Sequence, residues 1–578
     1  YQQLDSKTSR YMGIESYETR QLINQYSILT SGTVSGYNIP LGGILYTLNR
    51  KASSNNLRTQ LNYEKRWQKS SISAIMGYEI SESVSDMNSQ TKYGYDINSG
   101  KSIAVDTASY FNLNPVGSGQ IRTSYRFFKR TDRMRSSYIN AAYTYDGRYT
   151  LSGSARIDGS NYFGIKTNQK YVPLWSAGAL WNIDREDFYN LNWLPVLKFR
   201  ASYGYSGNLD KSKTGITTFT YNPLGAAYTG LPFASIVNIG NPELRWEKVA
   251  IANVGVEFGL RNSAISGKVE YYIKNGSDIL GDKAFPSNTG IKVLRGNYSK
   301  LETKGLDISL NSQNLKGKLG WTTSFILSAA NDCVTDYHAV LPASMYYVGT
   351  YSSVPILNRP VYGIFSYKWA GLDPINGDPR GYVNGQVSKD YKTILNSTIE
   401  NLEYNGPARP TVFGGLNNVF SFQKLTFAFN ISYKFGYYFR KPTVNYYNLY
   451  NSNISSNMNA DFGKRWQKSG DEATTNVPSM AGFGDNDFRD KFYKSSSATI
   501  ARGDHIRLQD VSIGFDFDQS NWKNIPVKQV QLYFYDNNLG IIWKANKFGL
   551  DPDYITDYGN IFNTPLSISL SFGLKIFF

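Results

Sequence analysis

The sequence predicts an all-β protein, a transmembrane antiparallel β-barrel, and three observations lead to this prediction. The first is a set of long segments in which apolar and polar residues alternate with period two. The second is a wealth of tyrosine, phenylalanine and tryptophan, and the third is a regular exchange of short turns with long polar loops. Together they favour strands that cross a bilayer over strands that pack in a soluble sandwich.

The segment Leu566–Phe578 gives the clearest alternation. Every even position is apolar, and every odd position except Phe577 is small or polar, which is the pattern of a strand with one apolar and one polar face. An ordinary strand has about five or six residues, whereas a tilted strand that crosses a bilayer needs about 9–11. Because the segment ends on an aromatic ring that favours the membrane interface, we predict that Phe572, Ile576 and Phe578 form a C-terminal barrel-assembly signal.

Four further segments alternate in the same way, at residues 197–204, 253–260, 265–273 and 425–436. Charged residues recur on their polar sides. A soluble sandwich would turn the apolar side toward a core and the charges toward water, whereas a barrel would turn the apolar side toward lipid and the charges toward a wet lumen. The alternation fits both architectures, so segment length and aromatic content favour the barrel.

Composition supports the membrane barrel and excludes several other classes. Tyr, Phe and Trp number 46, 31 and 10, or 15% of the 578 residues, and Tyr and Trp collect at both rims of a membrane barrel. No apolar run approaches the roughly 20 residues of a membrane-spanning helix. The formal charge of +16 is spread out without a Lys/Arg block, which argues against a nucleic-acid partner and suits a lipid bilayer with lipopolysaccharide. The single cysteine, Cys333, excludes an internal disulfide and a cysteine-based metal cluster.

The connections alternate between short and long, as they do in outer-membrane barrels. Asp146-Gly147 and Gln423-Lys424 each separate two alternating segments, and Asp-Gly is a strong hairpin signal. Long stretches rich in Asn, Gly, Ser and Tyr lie between such pairs, at residues 86–120, 208–242, 334–360, 376–410 and 440–503. We therefore predict about sixteen membrane-length strands in one partial barrel domain that covers residues 1–578, with long extracellular loops.

Short motifs follow one another along nearly the whole chain, and their order resembles the C-terminal barrel portion of the SusC/RagA-type TonB-linked outer-membrane transporters. They include Ala155–Ser160, Leu197–Gly204, Asn241–Glu247, Lys304–Asp307, Gly371–Asp373, Asp504–Asp510 and Gly549–Asp553. The resemblance implies a 22-stranded barrel with an N-terminal plug. It also implies energy from TonB, a SusD-like lipoprotein partner and import of glycans or peptides across the outer membrane of a Gram-negative, Bacteroidetes-like bacterium.

The chain departs from this family pattern in one respect. It shows no plug domain and no TonB box, and about sixteen strands are too few for a barrel of 22. We therefore expect the plug and the first barrel strands to come from outside this chain, and TonB to act through that missing region. Residues 1–50 are polar and irregular, which we interpret as an extracellular loop.

Enzymatic chemistry has little support in the sequence. No spacing typical of a hydrolase, a metalloprotease or a nucleotide-binding loop occurs, so we predict no catalytic residue and no cofactor. His338 and His505 lie far apart in the sequence. Asp551 and Asp553 flank Pro552, and a carboxylate pair of this kind fits either a glycosidase or, as we favour, a fixed loop.

A metal site is equally weakly supported. Asp373, Asn376 and Asp378 place oxygen donors around Gly377, which invites a calcium interpretation. An Asx turn that fixes the loop explains the same residues more simply. We predict no metal site.

Substrate binding is more plausible than catalysis. The candidates are Lys198, Arg200, Glu257, Lys268 and Glu270 on polar strand faces and Tyr346, Tyr347, Tyr446 and Tyr447 in long loops. The tyrosine rings suit sugar or peptide groups, but they could equally pack the loops together or lie in the interfacial girdle. The charges could contact cargo, or they could be solvated wall residues or partners for plug charges.

Three functional hypotheses remain open. The first is import of large nutrients as the barrel of a SusC-like transporter that works with a SusD-like lipoprotein. The second is a scaffold or accessory role in a larger outer-membrane assembly or secretion complex. The third is a soluble secreted β protein that binds or cleaves glycans.

Overall fold

The computed structural model describes residues 1–578 except 123–124, 163–170, 209, 211–215, 223–228, 230, 232, 242, 285–292, 338–343, 349–354, 448–458, 481, 483–486, 519–526, 556–564 and 578. The statements that follow concern the described residues.

Sixteen strands of the described chain form one antiparallel sheet, in which neighbours in sequence are neighbours in space. The first eight are Gln2–Met12 (β1), Gly43–Trp67 (β2), Ser70–Tyr95 (β3), Arg126–Tyr145 (β4), Tyr149–Ser160 (β5), Tyr171–Asn182 (β6), Val196–Asn208 (β7) and Glu247–Gly259 (β8). The other eight are Ile265–Ala284 (β9), Val293–Leu315 (β10), Leu319–Asp336 (β11), Val412–Phe422 (β12), Leu425–Phe435 (β13), His505–Asp518 (β14), Gln529–Lys544 (β15) and Ser569–Phe577 (β16). This count agrees with the predicted number of strands.

Short turns lie at one edge of the sheet and long connections at the other. Residues 68–69, 146–148 and 423–424 join consecutive strands as tight hairpins. At the Asp146-Gly147 hairpin both residues have positive φ, 50° and 65°, and the N–H of Arg148 donates to the carbonyl of Tyr145 over 2.9 Å. A type I′ turn requires this backbone, so the hairpin predicted from the Asp-Gly pair is confirmed.

The apolar face of the sixteen-stranded sheet, which we call the wall, is not covered by other protein elements. The strand register places Phe199 of β7 beside Val256 of β8, and Val254 beside Tyr271 of β9. These four side chains remain 40%, 38%, 44% and 42% exposed. Beyond the large sheet, the described strands form only two-stranded sheets, so no second layer packs on this face. A continuous exposed apolar surface is stable in hydrocarbon and not in water. The predicted transmembrane barrel is therefore confirmed, and the soluble-sandwich alternative is wrong.

The last strand follows its predicted alternation. Its register sets Phe572 opposite Phe534 and Leu574 opposite Leu532 of β15, and Phe572 is 77% exposed on the lipid side. The strand begins at Ser569 rather than at Leu566. Phe578 lies outside the described residues, and the assembly role of the three aromatic and aliphatic positions stays a prediction.

The prediction of an irregular loop over residues 1–50 is wrong for residues 2–12 and 43–50, which form strands, whereas residues 13–42 form a long connection. Residues 2–12 form β1, which pairs in register with β2, and β2 already begins at Gly43. The segment between them holds the helix Tyr17–Gln25 (α1), whose first turn is capped because the Ser16 hydroxyl accepts from the Thr19 N–H over 3.3 Å. The error arose because β1 is polar on both faces and carries no period-two signal.

The other regular elements lie in the connections between the sixteen strands, and the helices lie in the long ones. The helices there are Met345–Val348 (α2), Tyr391–Leu395 (α3) and Asp487–Ser495 (α4). Short 3-10 turns occur at Ile183–Arg185, Arg261–Ser263, Ile399–Asn401, Ala460–Lys464, Asp471–Ala473, Ser497–Thr499 and Pro552–Tyr554. Paired short strands are Ser27–Thr30 with Thr33–Tyr37, Phe111–Asn112 with Ser118–Gly119, Thr218–Asn222 with Phe233–Asn238, Gly363–Tyr367 with Leu402–Pro407, Gly381–Val383 with Gln386–Ser388, and Tyr438–Arg440 with Ile500–Arg502. Within the described part of the chain, no helix has the length and apolarity needed to cross a membrane.

The buried hydrophobic cores lie in the long connections and at the strand ends beside them, such as Ile44, Tyr93 and Val172. We use the term loop body for the described residues of the connections 337–411 and 436–504. Its main core packs the rings of Tyr367, Tyr391 and Phe492 with aliphatic side chains around them. A separate core joins α1 to the connection between β3 and β4, through Ile23, Tyr26 and further residues. A barrel wall whose faces meet lipid and lumen has no interior of its own, so folding cores form where the loops pack together.

Candidate binding surfaces on the lumen wall and in the loop body

The five charged residues predicted on strand faces lie together on the polar side of β7, β8 and β9. We call this group the charge cluster: Lys198, Arg200, Glu257, Lys268 and Glu270. The register sets Lys198 opposite Glu257 and Glu257 opposite Lys268. Since the opposite side of these strands meets lipid, the charge cluster faces the lumen.

The ion pairs in the charge cluster are close but exposed. Glu257 is 2.9 Å from Lys198 Nζ and 3.5 Å from Arg200, and Glu270 is 2.9 Å from Lys268 Nζ. The Arg200 side chain remains 50% exposed, and exposed ion pairs contribute only about 0–1 kcal/mol to stability. The cluster can therefore exchange its internal partners for those of a passing polar molecule. Its role in substrate binding stays a prediction.

Sequence reasoning missed a second polar group on the same side of β2, β3 and β4. Arg58 Nε donates to the Tyr138 hydroxyl over 2.7 Å, and that hydroxyl donates to Gln60 over 2.9 Å. The Arg58 guanidinium also lies 5.2 Å from the Tyr138 ring centre, a cation–π distance. We call Arg58, Gln60 and Tyr138 the tyrosine–arginine patch. The signal was available, since every even position from 56 to 66 is polar.

A glycine makes the tyrosine–arginine patch possible. Gly77 of β3 lies between Gln60 of β2 and Tyr138 of β4 in the register. A Cβ atom on Gly77 would come within 2.4 Å of the Tyr138 ring and hydroxyl. The missing side chain lets the tyrosine lie across β3 and reach β2.

The loop tyrosines divide between packing and exposure. Tyr347 is 5% exposed in the main core, and Tyr446 is 1% exposed with its hydroxyl donating to the Pro478 carbonyl over 2.7 Å. Tyr447 keeps 42% of its surface exposed. The side chain of Tyr346 lies outside the described residues. The burial of Tyr347 and Tyr446 favours the packing interpretation for these two rings, and Tyr447 is the ring that could meet a ligand.

Polar side chains join the two long connections into one loop body. Arg440 donates to the carbonyls of Lys494, Ser496 and Phe365 over 3.1, 3.1 and 2.8 Å. Arg489, which is buried, donates to Asp378 over 2.9 Å. Burial also raises the pKa of the Tyr367 hydroxyl to about 12, as expected for a ring in an apolar core.

The Asp373–Asp378 turn has the geometry of an Asx turn. The Asp373 carboxylate accepts from the Ile375 N–H over 2.9 Å and from Lys389 Nζ over 2.8 Å. The hydrogen bond from Lys389 and that from the Ile375 N–H hold the pKa of Asp373 below its usual range. These partners favour a fixed loop over a calcium site, and no group of three or more metal-ligating side chains occurs among the described residues.

The two aspartates flanking Pro552 are held in ion pairs at the loop-side ends of the strands. Arg507 contacts both oxygens of Asp551, over 2.6 and 2.7 Å. Asp553 is 2.7 Å from Lys434 Nζ and 3.2 Å from Nε2 of His505, whose ring is fully buried. We call Lys434, His505, Arg507, Asp551 and Asp553 the rim network.

The electrostatics of the rim network fit a structural role. Burial raises the pKa of Asp553, but the contact with His505 and the hydrogen bond from Lys434 outweigh it and hold the pKa well below its usual range. A glycosidase acid needs a raised pKa. The loop-fixing interpretation is therefore favoured. The other histidine, His338, lies outside the described residues.

A bare apolar outer face, a charged inner face and loops folded over one edge are the features of a membrane transporter wall. The model of the family "TonB dependent receptor-like, beta-barrel" matches residues 5–539. The chain belongs to this family. Its location in the outer membrane follows from this membership and from the exposed apolar face.

Relatives confirm the resemblance to SusC and RagA. TonB-dependent receptor P26 of Formosa agariphila is 26% identical over 440 residues, which cover 71% of this chain and 42% of that protein. TonB-dependent receptor SusC of Bacteroides thetaiotaomicron is 24% identical over 439 residues, which cover 71% of this chain and 40% of that protein. The chain thus spans about two fifths of the length of these curated relatives, both from Bacteroidetes.

The fold also matches solved structures. The RagAB peptide importer in its closed-closed state has a TM-score of 0.72 at 20% sequence identity, and the match covers 92% of this chain and 56% of that chain. At this level of identity the likeness concerns the fold.

Proposed function

We propose that this chain forms the wall of a SusC-type outer-membrane importer for large polar nutrients. The observation that carries the proposal is the two-sided wall, in which the apolar side chains of β7–β9 meet lipid and the charge cluster meets the lumen. A wall of this kind separates hydrocarbon from an aqueous path. TonB would supply the energy for import, and the wall itself would have no catalytic role.

Mixed charges on the lumen side favour peptides over neutral glycans as cargo. The charge cluster has three cations and two carboxylates, and Asp307 of β10 lies opposite Glu270 in the register. A peptide carries both signs at its termini and side chains, so it can pair with both. A solved neighbour in fold is a peptide importer, which agrees with this choice.

A SusD-like lipoprotein is the partner we propose for the loop body. Ile375 is 87% exposed at the tip of the Asp373–Asp378 turn, and Met480 is 48% exposed. The two lie on adjoining segments, because the Ser479 N–H donates to the Gly377 carbonyl over 3.0 Å. Exposed apolar side chains on adjoining segments are typical of a protein contact.

The proposal is tested by measuring uptake into cells in which variants of the receptor replace the wild-type protein. The variant Lys198→Ala/Arg200→Ala/Lys268→Ala removes the cations of the charge cluster, and we expect it to lower uptake of an acidic labelled peptide by about tenfold. Lys304→Ala is the matched control, because Lys304 pairs with Glu302 on the lipid side of the same wall, over 2.8 Å. Heat-modifiable gel migration checks that both variants fold.

Two results would contradict the import proposal. One is equal uptake by the triple variant and the control at equal outer-membrane levels. The other is loss of outer-membrane protein assembly on gene deletion without a change in uptake, which would favour the scaffold hypothesis instead.

A further inference from the structure

The lipid side of β2–β5 carries an apolar groove. It is lined by two neighbouring rows, where a row is the set of residues that are paired with one another across β2, β3, β4 and β5. One row is Thr59, Tyr78, Ser137 and Ile157, and the other is Leu61, Met76, Ile139 and Ala155. The small side chains of Ser137 and Ala155 form its floor, and its volume is about 530 Å³. Leu61 and Met76 are 66% and 54% exposed, so the groove is open to the membrane.

The groove lies on the membrane side because the intervening residues face the lumen. Tyr138, between Ser137 and Ile139, bonds with Arg58 and Gln60 of the tyrosine–arginine patch. Successive residues of a strand point to opposite faces. Ser137 and Ile139 therefore face lipid.

The chemistry of the lipid side changes from apolar to charged toward the long-loop edge. The next row beyond the groove contains Ile80 and Arg135, and the row after it contains Glu82 and Arg133. A second groove of about 340 Å³ lies along these residues and continues the first. Both arginines are exposed, and Arg133 Nε donates to Glu82 over 2.6 Å.

The two arginines lie far enough along β4 from the short-turn edge to reach the lipid headgroups on the opposite side of the membrane. The apolar stripe of β4 ends at Tyr145, beside the short turn and the Tyr149 ring, and Arg135 is ten positions away along the same strand. A membrane-crossing strand has about 9–11 residues. Since the long loops of such barrels are extracellular, Arg133 and Arg135 lie at the outer-leaflet surface.

We propose that this combined groove binds a phosphorylated, multiply acylated glycolipid of the outer leaflet, of the lipid A type. An acyl chain would lie over Ser137 and Ala155 between the apolar walls. A phosphate would meet the guanidinium groups of Arg133 and Arg135, whose planar N–H groups suit phosphate oxygens. The proposal concerns the lipid side of the wall and does not depend on what the lumen transports.

Lipid retention by the purified full-length receptor tests the proposal. The protein in detergent is mixed with bisphosphorylated lipid A, with its dephosphorylated form, or with a zwitterionic phosphatidylethanolamine, and bound lipid is counted by native mass spectrometry. We expect bisphosphorylated lipid A to bind best, and Arg133→Ala/Arg135→Ala to weaken its binding by about tenfold. Lys304→Ala, which removes a cation elsewhere on the lipid side, is expected to bind like the wild type.

A groove-filling variant keeps the test valid if the arginine variant fails to fold. Ala155→Phe leaves both arginines in place and fills the floor, so it should lower lipid A binding while heat-modifiable migration stays normal. Equal binding of lipid A and its dephosphorylated form, or unchanged binding by both folded variants, would overturn the proposal.

Discussion

Single side chains at the long-loop edge decide how the loops are held on the wall. Asp553 is the centre of the rim network, because Lys434 and His505 both contact its carboxylate. Its pKa lies well below the usual range of an aspartate, since these two contacts outweigh the effect of burial. A carboxylate with a lowered pKa stabilises the folded state above its unfolded pKa and loses that contribution as the pH falls through its folded pKa.

This residue therefore gives a pH-dependent prediction. At pH 7, we expect Asp553→Asn to lower the hydrogen-exchange protection of residues 545–555 by about tenfold, because the carboxylate loses its charge-assisted contact with Lys434 and its contact with the buried His505 ring. Below about pH 4, the unfolded pKa of an aspartate, the wild type should progressively approach the variant. Protection factors measured at several pH values check this. A difference that does not change with pH would contradict the assigned role of the carboxylate.

At the scale of elements, close approach between strands depends on small residues at particular register positions. Gly77 of β3 lies under the Tyr138 ring, and that ring joins β4 to β2. Gly153 of β5 is different, because a Cβ there would have its nearest neighbour at 3.9 Å. The two glycines thus form a matched pair for mutation.

We expect Gly77→Ala to destabilise the barrel by about 1–3 kcal/mol, the usual cost of overpacking, whereas Gly153→Ala should be neutral or slightly stabilising. The double variant Gly77→Ala/Tyr138→Ala should lose less stability than the sum of the two single variants, since the clash with the ring is gone and only the 2.9 Å approach of the new Cβ to the Thr59 carbonyl oxygen remains. Urea titrations read by heat-modifiable gel migration measure all four variants. Additive effects of the two substitutions would show that the ring and the glycine do not interact.

Strands with local signals were predictable, and elements that depend on distant partners were not. Leu425–Phe435 follows its period and its Gln423-Lys424 turn as predicted. The charge cluster forms because the antiparallel pairing of β7 with β8 sets Lys198 opposite Glu257. The loop body was not predicted. Its core brings together Tyr367 and Phe492, which are far apart in the sequence. No local sequence pattern predicts such packing.

At the scale of the whole molecule, the wall separates two media. Its outer side offers lipid an apolar surface and, at β2–β5, a groove bounded by arginines. Its inner side offers water the charge cluster and the tyrosine–arginine patch. The loop body covers the long-loop edge with a hydrophobic core of its own. The lipid, cargo and partner that we propose would therefore meet different parts of one chain.

Spin-label accessibility along β7 tests this arrangement most directly. Single cysteines are placed at residues 197–204 in a Cys333→Ser background, and collision rates with oxygen and with a water-soluble nickel complex are measured in bilayers. We predict period-two alternation, with labels at Phe199, Ala201 and Tyr203 favouring oxygen and labels at Lys198, Arg200 and Ser202 favouring nickel. Apolar positions shielded from both probes, or preferring the nickel complex, would contradict an apolar face in contact with lipid.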